Sequence, residues 1–183
     1  MRFVGIDPST KTGFVAIDEH GQVLREKEIT GIGNVDPKRM RTMIVDVMDH
    51  IQKDDIIAIE GFGFASQQAV QNGGIGWGIR MALDARKINY IEVAPNALKK
   101  YIGVTGWTGE KGKKRRLTGP EKKKAVKQAV KEHFNYTHKS DNVIDAYVLA
   151  QIALSHFVVQ ETDSIQLMNY QAEVIDTILK KVN

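Results

Sequence analysis

Residues 1–17 read MRFVGIDPSTKTGFVAI, and the fold turns on why an apolar run stops at one acid, Asp7. Phe3, Val4 and Ile6 have the composition of a buried strand, and after the turn Gly13 to Ile17 read as a second one. A carboxylate buried without a partner is costly, so Asp7 at the end of such a strand calls for a cation, a hydrogen-bond donor or water beside it. Asp7 also fits as the opening residue of the turn DPST, where Asp and Pro are favoured for local hydrogen bonding and fixed φ. This stretch alone leaves both readings open.

Working outward, the pattern is α/β. GQVLREKEI, residues 21–29, continues as a third strand. In residues 36–52 the spacing puts Met40, Ile44, Val47, Met48 and Ile51 on one helical face, with Asp36 as N-cap and Pro37 at the first helical position. DIIAIE, residues 55–60, is a strand of the continuous apolar type, and it too ends on an acid, Glu60. A helix rich in Gly and Gln is expected from about Ser66 to Arg86, then a strand at NYIEVA, then a short helix from Pro95 to near Gly103. Further helices are expected from Glu121 to about Phe134, from Asp141 to about Val158, and from Ile165 through Leu179. Without a repeat or a low-complexity linker, this is one domain over residues 1–160 and a helical tail over 161–183.

Two strands that end in acids change the weight on Asp7. Where neighbouring strands of an α/β sheet finish side by side, their terminal residues enter one crevice, which is a common ligand site. Asp7 and Glu60 then repel, and a hard divalent cation with oxygen ligands relieves the repulsion. SDNVIDAYVLAQIAL, residues 140–154, adds Asp141 and Asp145 as i,i+4 neighbours on a helix that is otherwise apolar. Asp141 also reads as a simple N-cap after Ser140, but Asp145 lies among residues that belong inside. The histidines share no common face, so magnesium or manganese fits better than zinc.

Composition narrows the class. With 183 residues the chain is long enough for a core, and without cysteine it has neither disulfides nor a thiolate zinc site. The N-terminus enters a strand at once, and no apolar run approaches the roughly 20 residues of a membrane span, so the expectation is a cytoplasmic protein with no membrane contact. Net charge is only +4, but twelve of the 26 Lys and Arg residues lie between Lys99 and Lys131. Such runs are usually solvated surface. Here five glycines punctuate the run, and Tyr101 and Trp107 stand close to it, which suits a mobile arm tracking a phosphate backbone.

The order GIDPSTKTGFVAI, IIAIEGFGF, VAPNALKKYIG, GPEKKKAVKQAV and SDNVIDAYVLAQIA, spanning the chain to about Phe157, resembles the RuvC-type Holliday junction resolvases of the RNase H-like superfamily. The resemblance implies a mixed five-stranded sheet flanked by helices, a homodimer, and an endonuclease that cleaves four-way DNA with two Mg2+ ions per site, Mn2+ substituting, and leaves 5′-phosphate ends. It implies catalytic and metal-binding roles for Asp7, Glu60 and Asp145. The fourth acid of the family falls at Asn142, with Asp141 one residue earlier as its stand-in. DNA contacts are implied for Lys99 or Lys100 and for Lys122 or Lys123. Phe62 and Phe64 flank the position where the family carries a base-stacking aromatic. The insertion WTGEKGKKRRLTG is longer and more basic than in the family, and its Lys111, Lys113, Lys114, Arg115 and Arg116 are expected on phosphates. Such an arm could broaden recognition to forks and flaps, and a compact resolvase so modified suits a phage or mobile element. The glycine-rich helix at residues 72–86 is the implied subunit contact, through Trp77, Ile79, Met81 and Leu83, with burial of these residues against the chain's own sheet as the other reading.

Two other readings stand beside this one. The chain could be a branched-DNA-binding module of the same fold without catalysis. GIDPSTKTGFVAI also resembles the first phosphate hairpin of actin-like phosphotransferases, although those need a second domain that this chain has no room for.

Overall fold

The computed structural model describes residues 1–63, 68–110, 112–162 and 166–182, and β1 (Phe3–Asp7) runs through the centre of its five-stranded sheet. β2 (Thr12–Ile17) pairs antiparallel with β1, and β3 (Val23–Ile29) pairs antiparallel with β2 at one edge. On the other side β4 (Ile56–Glu60) lies parallel to β1, followed by β5 (Tyr90–Val93), giving the order β3-β2-β1-β4-β5. Parallel neighbours need crossovers, which are supplied by α1 (Lys38–Asp49) before β4 and α2 (Ala69–Ala85) before β5. The mixed α/β sheet expected from the sequence is therefore present.

The central strands are covered on both faces, which is why they read as unbroken apolar runs rather than alternating ones. Strand periodicity sorts their side chains between two cores. Val4, Ile6, Phe14, Ala16, Ile57 and Ile59 pack with α1 and α2, while Phe3, Val15, Ile17 and Ala58 pack on the opposite face. That second face is covered by α5 (Asp141–Thr162), the central helix of the protein. Around α5 stand α3 (Pro95–Tyr101), α4 (Gly119–Phe134) and α6 (Asn169–Val182), which contribute Leu98 and Tyr101, Val126 and Val130, and Val174, Ile175 and Ile178 to the same core.

Two glycines set how close α5 comes to the sheet. A Cβ on Gly5 would lie 1.8 Å from the Ala146 carbonyl oxygen, and one on Gly13 would lie 2.0 Å from that of Asn142. These are backbone atoms with no room to move, so only glycine lets the helix rest on β1 and β2.

Several sequence expectations need correction. Asp36 does not cap α1: the helix begins after Pro37 without a side-chain cap, and the Asp36 carboxylate instead receives two hydrogen bonds from Arg39. α5, with 22 residues, is long and apolar enough to cross a membrane by length and composition alone, contrary to the expectation that no such run exists. Its apolar surface packs against the sheet and the surrounding helices, and 67% of its most apolar stretch is buried. In α2, Ile79 and Leu83 are fully buried in the core beneath the sheet, so neither can be a subunit contact. Gly74 and Gly78 face Met40 and Ile44 and bring α1 and α2 together within the chain. The basic arm, finally, is not a bare loop: β6 (Trp107–Thr108) and β7 (Arg115–Arg116) pair as an antiparallel hairpin.

Candidate active site

Strand parity decides where the two strand-terminal acids point. Asp7 is in phase with Phe3 and Gly5, and Glu60 is in phase with Ala58, so both turn towards the α5 face. β1 and β4 are adjacent and parallel, which brings both acids to the same end of the sheet. On that face the close seat of α5 on Gly5 and Gly13 lowers its first turns onto the strand ends and delivers Asp145 to the same point. Asp7, Glu60, Asn142 and Asp145 line one cleft of about 600 Å³, together with Ser9, Phe62, Trp77, Arg80 and Lys99.

The electrostatics of the three acids bear out their closeness. Burial pushes Asp7 well above the ordinary carboxylate range, and the charges of Glu60 and Asp145 push it further. Glu60 is also raised by burial, offset by a hydrogen bond with Asp7 and by the Lys99 charge. Asp145 is raised to about 7, chiefly by burial and then by Glu60. Asp7 and Glu60 share a side-chain hydrogen bond, which requires one proton between two carboxyl groups. In this arrangement no three candidate ligands among the described residues stand in a metal-holding geometry. The donor set nonetheless consists of oxygens whose charges repel, and that chemistry fits a hard divalent cation displacing the shared proton.

Asp141 stands apart from these three. Its carboxylate is held by Lys123 at 2.8 Å and Lys127 at 2.9 Å in a neighbouring hollow of about 250 Å³. Burial alone would raise its pKa, but hydrogen bonds from the two lysines hold it below the ordinary value. Ser140 rather than Asp141 accepts from the Val143 N–H at the helix start. Asn142 lines both hollows and so borders Asp7 and Glu60, whereas Asp141 shares only the neighbouring hollow with Asp145, whose pKa its charge helps to raise.

The cations sort by element. Lys99 on α3 lines the cleft and tempers all three acids, whereas Lys100 points away and pairs with Glu173 on α6. Lys122 and Lys123 of α4 line the adjoining hollow with Lys99 and Asp145. Lys113, Lys114, Arg115 and Arg116 are exposed on or beside the hairpin. Phe64 and Lys111 lie outside the described residues. Phe62 is half-buried at the rim of the cleft, with its ring stacked on Trp77 at 5.3 Å.

Arg80 escaped the sequence reading. Its side chain is buried, donates to the Glu60 carbonyl at 2.9 Å and to Glu92 Oε2 at 2.8 Å, and lies 4.4 Å from the Phe62 ring centroid. It therefore ties the backbone of the second acid to α2 and backs the aromatic pair. The signal was present: a guanidinium within GWGIRMAL, an otherwise apolar helix, must find partners when buried.

No protein-family model matches the chain, and no curated protein matches it in sequence. Solved structures do match. RuvC of Thermus thermophilus superposes with a TM-score of 0.61 at 15% identity, covering 92% of this chain and 100% of that one. T. thermophilus RuvC in complex with a Holliday junction substrate superposes with a TM-score of 0.59 at 13% identity, covering 92% and 99%. With its strand order, its two cores and the seat of its central helix, the chain has a RuvC-like fold of the RNase H-like α/β class.

Proposed function

We propose that the protein is a magnesium-dependent endodeoxyribonuclease that cuts four-way junctions and other branched DNA by hydrolysing phosphodiester bonds. The observation that carries this reading is the meeting of Asp7, Glu60 and Asp145, from three separate elements, at one cleft bordered by lysines. The likeness to a RuvC solved with a Holliday junction supports branched DNA as the substrate class.

Asp7, Glu60 and Asp145 are the residues to hold the metal, two Mg2+ per site with Mn2+ as substitute. Asp141 joins them only by releasing Lys123 and Lys127. Bound in pairs, such ions activate an attacking water and offset charge on the leaving oxygen. The chain's own groups do the rest. Lys99, Lys122 and Lys123 bind the anionic backbone and orient it across the acids. Arg80 fixes Glu60 through its carbonyl, and Phe62, braced by Trp77 and Arg80, offers a ring to a base at the branch. The products carry 5′-phosphates.

Two such sites facing two strands of like polarity require a homodimer. With Ile79 and Leu83 buried in the chain's own core, the face left for a partner is the exposed stripe Val70, Trp77 and Met81 of α2. Met81→Lys should yield a folded monomer by light scattering, with paired incision reduced to single nicks. A dimer of unchanged mass would place the subunit contact elsewhere.

The decisive assay incubates a junction labelled on each strand with the protein in magnesium, in chelator, and in magnesium with ATP. Symmetric nicks in magnesium alone support the nuclease. Binding without nicks would make the chain a non-catalytic junction-binding module, and phosphate transfer from ATP would make it a phosphotransferase.

A further inference from the structure

The β6–β7 hairpin carries a tryptophan that the chemistry of the cleft does not use. Trp107 sits directly across the hairpin from Arg116, whose guanidinium lies 5.2 Å from the indole centroid. The residue is nevertheless 50% exposed. The indole thus keeps half of its large apolar surface in water, on a hairpin that is otherwise strongly basic. No apolar segment of the described chain reaches over it, and its hairpin neighbours are mostly charged.

The hairpin is built to present this ring. The Leu117 N–H donates to the Gly106 carbonyl, the Lys113 N–H donates to that of Glu110, and the Thr105 hydroxyl donates to the Trp107 carbonyl. At the tip Gly109 takes φ +102°, where a Cβ would lie 2.7 Å from the Lys113 carbonyl oxygen. From β7, Arg115 makes two hydrogen bonds to Glu121, at 2.6 and 2.9 Å, and Glu121 also closes the capping box of α4 with Thr118. The arm is thus anchored to the first turn of α4, where Gly119, Lys122 and Lys123 line the hollow next to the acids. Trp107 stands on a braced support that springs from the edge of the cleft.

We infer that Trp107 is a second base-stacking platform, taking an unpaired nucleobase of branched DNA on its exposed indole surface. This rests on the DNA reading of the cleft. Charge selects the occupant: Lys113, Lys114 and Arg116 have no carboxylate partner among the described residues, so the surface around the ring favours a polyanion over an apolar protein face. Shape selects the part of it: a flat ring backed by a guanidinium pairs best with another π-face. In an intact duplex every base face is already stacked. Only bases freed at a branch point or in a single-stranded arm can reach the indole.

Trp77 and Trp107 are the two tryptophans of the chain, so subtracting the emission of Trp107→Phe from that of the unaltered protein isolates the Trp107 signal. In chelator, where no strand is cut, both proteins are titrated with a fork bearing oligo-dT arms and with a blunt duplex of equal length. The fork should quench Trp107 emission and the duplex should leave it unchanged. Trp107→Ala should weaken fork binding about tenfold, with Trp107→Phe retaining most of it and duplex binding within about twofold of the parent. Equal losses for fork and duplex, or unchanged emission at saturation with the fork, would overturn the platform. The junction-cutting assay separates this from the nuclease reading. Fork-selective quenching by a protein that cuts nothing would keep the platform and overturn the nuclease, whereas cutting with fork selectivity unchanged in Trp107→Ala would do the reverse.

Discussion

The acidic end of the cleft and the basic hairpin beside it are held in place by opposite means. The acids ride on β1, β4 and α5, and the backbone of α5 meets β1 at Gly5 and β2 at Gly13 without space for one methyl group. The hairpin has strands of two residues, exposed side chains, and an anchor made of one surface ion pair and a helix cap. Groups that act on a single phosphorus atom must be placed to within about half an ångström. Groups that follow a charged backbone or accept a base face can shift by more than that and still work. Each region is as rigid as its task requires.

The most severe way to break this comparison is to change the acidic region without disturbing its shape. Asp7→Asn should lower junction cleavage by more than the roughly 100-fold that loss of an outer-shell partner costs a metal site. Metal-independent DNA binding should survive, as measured by gel shift in chelator. If Asp7 were only a turn residue, cleavage per folded molecule would stay intact.

Next in size is the seat of α5. Gly5→Ala drives a methyl group into the helix backbone, so it should cost at least the roughly 3 kcal/mol at the upper end of overpacking. For a chain of this length that lowers Tm by about 6–12 °C. Whatever protein remains folded should cut poorly, because Asp145 is moved off the strand ends. Gly112→Ala is the counterpart in the hairpin loop: no atom lies within 4 Å of its Cβ position, and although its φ of +94° adds some strain, cleavage should be nearly normal.

A gentler probe is pH. Asp145 titrates near 7 in the folded protein against an ordinary value of 3.8. Between those values the folded chain keeps a proton that the unfolded chain has released, so this group's contribution to stability declines as pH rises from about 4 to about 7. In chelator the urea midpoint should fall from pH 5 to pH 8, and Asp145→Asn should flatten that fall. Subtracting the variant curve removes the opposing contribution of buried His156, whose pKa is lowered by burial. Saturating Mg2+ should also flatten the curve of the unaltered protein. A variant curve parallel to the parent would show that neither burial nor the charge of Glu60 raises Asp145 in the folded protein.

The smallest effect is expected in the hairpin. Lys113→Ala with Lys114→Ala should leave Tm unchanged and flatten the log–log salt dependence of junction binding by about 0.9 for each phosphate no longer neutralised. An unchanged slope would mean that the lysines are simply solvated.

How much of this could be read beforehand follows the same division. The continuous apolar strands ending in Asp7 and Glu60, and the apolar helix bearing Asp145, announced a buried acidic crevice because buried carboxylates are costly wherever they occur. What periodicity could not supply was three-dimensional pairing. It left Ile79 open between a subunit contact and the chain's own core, because an apolar helix face carries no mark of which partner it meets. It could not tell Lys99 from Lys100, one residue apart, until α6 drew Lys100 towards Glu173. It took Asp36 for a cap because the pull of Arg39, three residues on, is indistinguishable in sequence from an N-cap pattern. The hairpin read as a loop because strands of two residues leave almost no alternation to detect.

The close seat of α5 on β1 has a consequence for protein synthesis. β1 leaves the ribosome well before the helix that must rest on Gly5, because the rest of the sheet and four helices lie between them in the chain. Until α5 emerges, the nascent chain exposes the apolar face of its sheet and holds Asp7 and Glu60 without their third partner. The candidate site therefore cannot assemble on a chain truncated before α5. A message cut short, or translation halted early, leaves a product that can expose the basic arm but cannot bring all three acids together.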